Sequence, residues 1–193
     1  MIYAKSDDGK KIKAVPGSRA SCPVCNGDVL AKCGVIKVWH WAHINLDCDP
    51  WHEDETAWHI AWKERFPSRA IEVTIENHRA DLILNRTVWE LQHSPISVLE
   101  IYQRQKFYMS HGYQVQWIID ASKFEDNFNK RNKGDYATFR WKWKHPTLAM
   151  CRNVHLDLGD GRIFTIKKQY AHMYSGWGYL NDTDDFIKKF MKS

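Results

Sequence analysis

The chain is predicted to be an α/β protein whose core follows the order helix, three antiparallel strands, helix and strand. Residues 70–76, 79–84 and 87–92 all alternate between apolar and polar side chains with a period of two, and the last two segments lie two residues apart, which predicts a hairpin. A capping-box pattern begins a helix that spans 98–111. Residues 114–119, Gln-Val-Gln-Trp-Ile-Ile, are predicted to form a buried strand that ends at Asp120.

Length and composition favour one globular domain, either alone or with an appendage. The 193 residues can bury a sizeable core, and the 44% hydrophobic content with ten Trp excludes a disordered chain. No apolar run approaches the ~18 residues of a membrane span, and the first residues do not form a signal peptide, so we expect a cytoplasmic protein without membrane contact. Five cysteines, two of them in CxxC spacing, fit metal binding in a reducing compartment. The net charge of +5 indicates an anionic partner.

Residues 1–50 are predicted to be a zinc-binding segment. Two cysteines in CxxC spacing are followed, after fourteen residues, by two histidines in HxxH spacing, and this donor set suits tetrahedral Zn²⁺. The predicted ligands of a structural zinc ion are Cys22, Cys25, His40 and His43. Residues three apart on a strand face opposite sides, so the backbone must bend if both histidines bind, and Cys33 and Cys48 are alternative ligands. The competing interpretation is a reduced CxxC loop with two packed histidines.

The first predicted helix of the core begins near Pro50 and runs to about Phe66. It carries Glu55, His59 and Lys63 at spacings of four residues, so these side chains lie in a row on one face. Two interpretations stay open for this row. It is either a solvated, salt-bridged surface or the part of the helix that lines an active site.

The hairpin sets two carboxylates opposite each other. With Asn85 and Arg86 as a two-residue turn, whose type the sequence leaves open, the register places Asp81 directly across from Glu90, with Cβ atoms about 5 Å apart. Two like charges in that position destabilise a sheet, and a divalent cation between them removes the repulsion. Gln92 points to the same face as Glu90. The competing interpretation is a pair of solvated charges on an exposed hairpin.

An Asp on one strand and Glu-x-Gln on the next is similar to the layout of the PD-(D/E)xK nuclease core. In such a core the carboxylates, here Asp81 and Glu90, hold Mg²⁺ or Mn²⁺, and the third residue orients or activates the attacking water. Together with the order of elements, this layout predicts a restriction-endonuclease-like αβββαβ core over residues 51–122, preceded by the zinc knuckle. Residues 123–193 are predicted to be a β-rich extension that contacts DNA.

The extension is predicted to contain a short helix over 123–133, a hairpin of 153–158 with 162–167, and a terminal helix over 183–192. Between them, residues 139–145 alternate aromatic and basic side chains, which suits either a strand with one face on phosphates or an edge strand protected by lysines. Arg104 shares a helix face with Tyr108 and His111 and is within reach of a phosphate. The predicted nucleic-acid contacts are Lys63, Arg104, Arg140, Lys142 and Lys144, and the core candidates of the second helix are Ile101, Tyr102, Tyr108 and Met109.

In order and spacing these motifs resemble the CoiA-like competence protein family over residues 20–122. The matching motifs are Cys22-Pro-Val-Cys25, His40-Trp-Ala-His43, Glu55-x3-His59-x3-Lys63, Arg79-Ala-Asp81, Glu90-Leu-Gln92 and Trp117-Ile-Ile-Asp120. The family is associated with processing of incoming or recombining DNA and is assigned a PD-(D/E)xK core. The resemblance implies that Asp81, Glu90 and Gln92 form the catalytic metal site, with Glu55 and His59 supplied by the first helix.

The sequence is therefore expected to encode a Mg²⁺- or Mn²⁺-dependent DNA endonuclease with a structural zinc ion, acting in DNA processing, uptake or recombination. DNA is the expected partner, and recombination proteins are further expected partners. Two competing classes stay open: a catalytically inactive DNA-binding or recombination accessory protein, and a zinc-stabilised protein-interaction module. The sequence also leaves open the oligomeric state and whether the substrate is single-stranded, duplex, branched or modified DNA, or RNA.

Overall fold

The computed structural model of the protein describes residues 1–35, 38–45, 48–51, 55–124, 127–150 and 154–191. The chain divides into two compact units, Met1–Ile83 and Leu84–Ser193. The predicted division into 1–50, 51–122 and 123–193 stays a prediction. None of the helices in the described ranges has both the length and the apolar character that a membrane span requires.

The first unit begins with an antiparallel sheet that has a small apolar core. Its strands are β1 (Tyr3–Lys5), β2 (Lys11–Lys13), β3 (Arg19–Ser21), β4 (Asp28–Lys32) and β5 (His40–His43), in the spatial order β2-β1-β3-β4-β5. Trp41 lies at the centre of this core, with Val29 and Cys22 against it, and is only 1% exposed. Its indole N–H donates to the carbonyl oxygen of Ile12 at 3.0 Å. The sheet therefore holds β5 in place through a buried hydrogen bond as well as through apolar packing.

Helix α1 (Ala57–Lys63) is shorter than the helix predicted from Pro50 to Phe66. It begins after Thr56, whose hydroxyl accepts the N–H of His59 while the His59 ring accepts the N–H of Thr56, each at 3.3 Å. This reciprocal capping box satisfies two N-terminal donors and fixes the start of the helix. Residues 52–54 of the predicted helix lie outside the described residues. The first unit then continues into β6 (Ile71–Ile75) and β7 (His78–Leu84), which pair antiparallel.

The backbone angles of the turn after β7 identify its type. Asn85 and Arg86 have φ values of 46° and 57°. A two-residue loop with positive φ at both positions is a type I′ turn, the type whose twist suits a hairpin. The predicted two-residue turn is thus confirmed, and Arg86 adopts the left-handed conformation although it is not glycine.

The second unit is a mixed sheet with two helices. Its elements are β8 (Thr87–Gln92), α2 (Val98–Ser110), β9 (Gln114–Asp120), β10 (Phe128–Asn132), β11 (Ala137–Trp141), β12 (Val154–Asp157), β13 (Arg162–Tyr170), β14 (Ser175–Asp182) and α3 (Thr183–Met191). Its strands lie in the order β10-β11-β14-β13-β12-β9-β8, and β9 is parallel to both of its neighbours. The mixed α/β fold and the order helix, three strands, helix, strand from α1 to β9 are confirmed.

The predicted helix over 123–133 is wrong, because its second half forms β10. Phe128 lies directly across from Trp141 and packs its ring against Trp141, Phe139 and Phe164 at centroid distances of 4.9–5.6 Å. Aromatic pairs of this kind stabilise neighbouring strands more than local preference stabilises a short helix. The predicted hairpin of β12 and β13 and the terminal helix α3 are confirmed.

Strand β14 was not predicted, and glycine explains both its position and the failure to predict it. A Cβ on Gly176 would lie 2.0 Å from the carbonyl oxygen of Lys168, and one on Gly178 would lie 2.1 Å from that of Thr165. Strand β13 therefore approaches β14 closely at both glycines. Glycine weakens the period-two pattern from which strands are predicted.

Candidate functional site

Four sulfur and nitrogen ligands meet at one end of the N-terminal sheet. Cys22 follows β3, Cys25 lies on the turn after it, His43 ends β5, and Cys48 lies five residues beyond His43. One ligand atom from each of these residues lies within 4.8 Å of the others. The Sγ atoms of Cys22 and Cys48 are 3.7 Å apart, and Cys25 Sγ lies 3.5 Å from His43 Nε2.

These spacings fit a tetrahedral metal ion. Zn²⁺ bonds to thiolate sulfur at about 2.3 Å and to imidazole nitrogen at about 2.0–2.1 Å, which sets ligand-to-ligand distances of about 3.8 Å between two sulfurs and about 3.6 Å between sulfur and nitrogen. The two measured separations lie within about 0.1 Å of those values. Three thiolates and one imidazole are also a donor set typical of structural zinc. The group can therefore hold a metal ion such as zinc.

The turn between the first two cysteines orients their sulfurs through backbone donors. The N–H of Val24 points at Cys22 Sγ at 3.4 Å, and the N–H of Gly27 points at Cys25 Sγ at 3.3 Å. Asn26 has a φ of 56°, the left-handed conformation that closes this tight turn. N–H groups aimed at sulfur stabilise the thiolate form, which is the form that binds metal.

The predicted ligand set is corrected at one position. His40 and His43 lie three residues apart on the same strand, so their side chains point to opposite faces, and only His43 joins the group. The ring of His40 instead makes a 2.8 Å hydrogen bond to the carbonyl oxygen of Val38. Cys48 takes the fourth position, whereas Cys33 packs against the apolar core of the sheet.

The thiol pKa values show how the three sulfurs influence one another. Burial raises the pKa of Cys25, but the N–H of Gly27 and the neighbouring thiols outweigh it, and its pKa lies below the ordinary value. Burial and the neighbouring Cys25 raise the pKa of Cys48 to about 12. One sulfur ionises readily, and its negative charge then opposes ionisation of the next. A divalent cation is the kind of ligand that removes this repulsion.

A second cluster in the first unit surrounds the ammonium group of Lys63. Its Nζ lies 2.8 Å from Glu55 Oε1, 3.0 Å from Asp81 Oδ1 and 3.2 Å from Glu72 Oε1. The side chains of Lys63, Glu55 and Glu72 are 1–3% exposed, whereas that of Asp81 is 23% exposed. We call these four residues the Lys63 cluster. It contains three carboxylates and one ammonium, and it is open to solvent mainly at Asp81.

Glu72 anchors the buried end of the Lys63 cluster. Its carboxylate accepts the backbone N–H groups of Ile2 and Tyr3 at 2.8–2.9 Å, and its own φ is 49°, an unusual conformation for Glu. Burial by itself would raise the pKa of Glu72, but Lys63 and Arg79 hold it well below the ordinary value. Glu72 is thus a fixed negative charge. Its role was not predicted, because a single Glu in an alternating strand is also the ordinary pattern of a solvent-facing residue.

The other groups of the Lys63 cluster differ in protonation. Burial raises the pKa of Glu55 to about 6, although Lys63 opposes that shift. Burial lowers the pKa of Lys63, but Asp81, Glu72 and Glu55 outweigh it, so its pKa lies above the ordinary value. Lys63 is therefore a permanent cation. Because it is enclosed, the prediction that Lys63 contacts nucleic acid is corrected.

His59 lies next to this row but has a local role. It is 3% exposed, and its Nδ1 lies 2.9 Å from the Thr56 hydroxyl within the capping box of α1. The row Glu55, His59 and Lys63 is therefore neither a solvated surface nor three catalytic groups. Two of its members belong to the Lys63 cluster, and His59 positions the start of the helix that carries it.

In the second unit, Glu90 lies in a buried ion pair. Its Oε2 is 2.6 Å from Arg104 Nη1, and Arg104 Nη2 is 2.6 Å from Glu100 Oε1 on the preceding turn of α2. Arg104 is 5% exposed, so the prediction that it reaches a phosphate is corrected. Gln92, two residues beyond Glu90, donates its amide N–H to the carbonyl oxygen of Ser94 at 2.8 Å. The predicted register of Asp81 against Glu90 stays a prediction.

A further polar pair that the sequence analysis missed lies at the carboxyl ends of β8 and β9. His93 Nδ1 is 2.7 Å from Asp120 Oδ2, and Asp120 also accepts the N–H and the hydroxyl of Ser122. Burial raises the pKa of Asp120, but Ser122 and His93 lower it more, so its pKa lies below the ordinary value. The two strands are parallel, which brings their ends to the same edge. Because His93 and Asp120 lie 27 residues apart in the sequence, local sequence patterns do not predict this contact.

The remaining predicted contacts lie on β11 and just beyond it. The alternation predicted for residues 139–145 is confirmed within β11, where Phe139 and Trp141 are buried and Arg140 is exposed. It is wrong beyond the end of the strand, because Trp143 is 57% exposed. Lys142 and Lys144 follow the strand and are also exposed. All three remain available to a phosphate.

Comparison with known proteins places these sites in a family. Residues 5–49 match the competence protein CoiA, N-terminal domain, and residues 66–153 match the competence protein CoiA, nuclease-like domain. The first match contains all four residues of the cysteine–histidine group, and the second contains Glu72, Asp81, Glu90 and Gln92. The protein thus has a nuclease-like domain behind a domain that carries a metal-ligand group. The chain belongs to the CoiA-like competence protein family. No curated protein and no solved structure matches it.

Proposed function

We propose that the protein is a Mg²⁺- or Mn²⁺-dependent deoxyribonuclease that hydrolyses phosphodiester bonds, with a structural zinc ion held by the cysteine–histidine group. The nuclease-like family match supports the class of activity and contains Asp81 and Glu90, the carboxylates proposed to bind the catalytic ion. Carboxylate oxygens are the ligands that both ions prefer. When bound, such an ion polarises the scissile phosphate and lowers the pKa of a water molecule for in-line attack.

The observation that carries this proposal is the environment of Asp81. The buried carboxylates Glu55 and Glu72 are balanced by Lys63, by Arg79 and by the N-terminal ammonium, and Asp81 is the most exposed member of the Lys63 cluster at 23%. A carboxylate that stays partly exposed at the edge of a buried cluster keeps oxygen ligands available to a hard divalent cation. A closed structural ion pair has no such exposed carboxylate.

Lys63 supplies a cation that the Glu-x-Gln strand β8 lacks. The third residue of the Glu-x-Gln motif is an amide, so the strand itself contributes no cation. Lys63 reaches Asp81 from α1 instead and holds one carboxylate oxygen at 3.0 Å. Since its pKa is raised and its side chain is enclosed, Lys63 is proposed as a positioning residue for Asp81 and not as the base.

The test is cleavage of labelled linear, nicked, branched and single-stranded DNA with Mg²⁺, with Mn²⁺ or without added divalent ion. The wild type is expected to cleave at least one form only when the ion is present, and Asp81→Asn is expected to abolish cleavage while the protein stays folded. Glu64→Gln is the matched control, because Glu64 is an exposed acid of the same unit whose partner is the exposed Lys13. If no form is cleaved and Mn²⁺ shifts the melting temperatures of wild type and Asp81→Asn equally, the nuclease proposal is wrong.

A second candidate is a catalytically inactive DNA-binding or recombination accessory protein. It is favoured by the 2.6 Å contact between Arg104 and Glu90, because this guanidinium neutralises the carboxylate without a metal ion. Such a protein would bind DNA with an affinity that falls as salt rises, since phosphate contacts release counterions, and it would cleave none of the four DNA forms.

A further inference from the structure

A wide groove runs across one end of the sheet in the second unit. It has a volume of about 960 Å³ and lies on β10, β11, β14 and the end of β13. Asn129, Arg140, Ser175 and Tyr170 are cross-strand partners in four successive strands and form one row of its floor. Residues directly opposite in neighbouring strands share a face, so this row crosses the groove at right angles to the strands. A second cavity of about 380 Å³ adjoins it and shares Asn129 and Arg140.

The groove is basic. Lys130, Arg131 and Arg140 line the larger cavity, and Lys142 lines the adjoining one. Among the described residues that line either cavity there is no Asp or Glu. The charge is also localised along the chain, because residues 123–193 contain 14 Lys and Arg against 8 Asp and Glu, whereas residues 1–122 contain 14 against 15. The positive net charge of the protein therefore comes from the segment that carries the groove.

Aromatic and thioether side chains lie among these cations. Tyr170 lines the larger cavity, Tyr174 lines the smaller one, and Met173 lines both. Met173 is 42% exposed and Tyr174 is 38% exposed, so both side chains are accessible from the cavities. Lys168 also lies over the Tyr170 ring, 5.1 Å from its centroid. Exposed rings between basic side chains are what a polymer with alternating phosphates and bases requires.

The turn that presents Tyr174 is held in an uncommon conformation. Tyr174 has φ 48° and ψ 37°, which a bulky residue rarely adopts. Its carbonyl oxygen accepts the N–H of Trp141 at 2.7 Å, and the carbonyl oxygen of Met173 accepts Arg140 Nε at 3.5 Å. The same turn thus carries Tyr174 and accepts the guanidinium of Arg140, and both residues line the smaller cavity. Backbone conformations of this kind cluster where a protein contacts a ligand.

We propose that this groove binds single-stranded DNA, with phosphates at Arg131, Arg140 and Lys142 and a base stacked on Tyr174. The basic residues by themselves suit any nucleic acid. The exposed ring selects the single strand, because bases in a duplex are already stacked on each other and present only their edges. The inference rests on the proposed function for the choice of DNA as the polymer, and it names the form of DNA that the protein holds.

The test measures binding separately from cleavage. Fluorescence anisotropy is recorded for a labelled 20-nucleotide oligothymidine, for a 20-base-pair duplex and for oligouridine of the same length, without added Mg²⁺ or Mn²⁺ and at several salt concentrations. The wild type is expected to bind oligothymidine at least about tenfold more tightly than the duplex, since base stacking on an aromatic ring accounts for a factor of that order. Tighter binding of the duplex, or tenfold tighter binding of oligouridine, would overturn the proposal.

Two variants separate phosphate contact from stacking. The double variant Arg131→Gln and Arg140→Gln is expected to reduce the salt slope of oligothymidine binding by about 1.4, because each phosphate contact to a single strand contributes about 0.7. Tyr174→Asn keeps a residue that tolerates the left-handed backbone but removes the ring, so affinity is expected to fall about tenfold with an unchanged slope.

The matched control is the double variant Arg162→Gln and Lys188→Gln, which removes the same charge from exposed residues of the same unit outside both cavities. The control is expected to leave both affinity and slope near the wild type. If the control changes binding as much as the groove variants do, the groove is not the site. A protein that binds oligothymidine through the groove but cleaves nothing would retain this inference and remove the nuclease proposal.

Discussion

The cysteine–histidine group and the Lys63 cluster both gather ionisable side chains in the first unit, and they are neutralised in different ways. In the Lys63 cluster the chain supplies its own cation, an ammonium within 3.2 Å of three carboxylates. In the cysteine–histidine group all four members are electron-pair donors whose ligand atoms lie within 4.8 Å of one another. The first arrangement keeps its buried end charged and paired without an added ion, whereas the second contains no cation of its own and can hold a metal ion. Substitutions in the two groups should therefore differ in their effects on bound metal and on the free energy of unfolding.

The largest effect is expected at the cysteine–histidine group. Cys22→Ser should lose bound zinc and lower the free energy of unfolding by on the order of 5 kcal/mol, because the binding energy of a structural metal ion is folding free energy. Metal analysis and thermal melts measure the two effects. Cys33→Ser is the control, since Cys33 lies outside the group. Protein purified without chelator that contains no zinc would show that the group does not hold this ion.

The next largest effect is expected for Lys63→Met. Removing the ammonium leaves three carboxylates together, two of them 3% exposed or less, and breaking a buried ion pair in this way costs about 3–5 kcal/mol. Urea denaturation measures it. Lys13→Met is the matched control, because Lys13 pairs with Glu64 at the surface, where such a pair contributes at most about 1 kcal/mol. Unlike Cys22→Ser, Lys63→Met should keep its zinc.

A smaller effect is expected from the pH dependence of Glu55. Its pKa in the folded protein is about 6, above the ordinary 4.5, so the folded state binds the proton more tightly than the unfolded state does. The contribution of Glu55 to stability is then fully present below pH 4.5 and falls by about 2 kcal/mol as the pH rises to 6. Glu55→Gln should remove this fall. Urea denaturation at pH 4.5, 5.5 and 7 tests it, and an identical pH profile in the variant would contradict the assignment.

The smallest effect is expected for Gln92→Ala. A neutral amide is a weaker ligand for a hard cation than a carboxylate, so this change should reduce Mn²⁺ binding less than Asp81→Asn or Glu90→Gln does. The measurement is the shift in melting temperature on addition of Mn²⁺ to each variant. A larger loss for Gln92→Ala than for Asp81→Asn would mean that the ion, if bound, does not lie at the carboxylates.

Much of the fold was predictable where local chemistry determines it. Ser97 caps α2 by accepting the N–H of Glu100, and Gly112 ends it with a φ of 78°, so both ends of that helix follow from single residues. The prediction was wrong where tertiary packing determines which side chains are buried. Tyr102 and Met109 were expected in the core but are 56% and 57% exposed, because α2 buries only the row that contains Ile101 and Tyr108.

The sequence predicted which types of residue form the candidate site, but it did not predict which residues contact each other there. The pairs CxxC and HxxH identified the metal group, but only the direction of β5 decides that His43 enters it and that Cys48 replaces His40. The same holds for Lys63. Its spacing from Glu55 indicated a shared helix face, whereas its contact with Glu72 depends on a strand that lies nine residues away in sequence. Charge patterns along a helix do not reveal which groups become buried.

The crowding of three thiols has a consequence for handling the protein. The sulfurs of Cys22 and Cys48 lie 3.7 Å apart, and a disulfide requires about 2.05 Å, so a small movement is enough to join them once no metal keeps them apart. Thiolates in this position react with oxidants and with other disulfides. If zinc is bound and then lost in air, it could return only after a reductant had restored the thiols, because an oxidised pair has no thiolate to offer the ion. Preparations kept reduced and preparations exposed to air should therefore differ in the amount of zinc that can be restored.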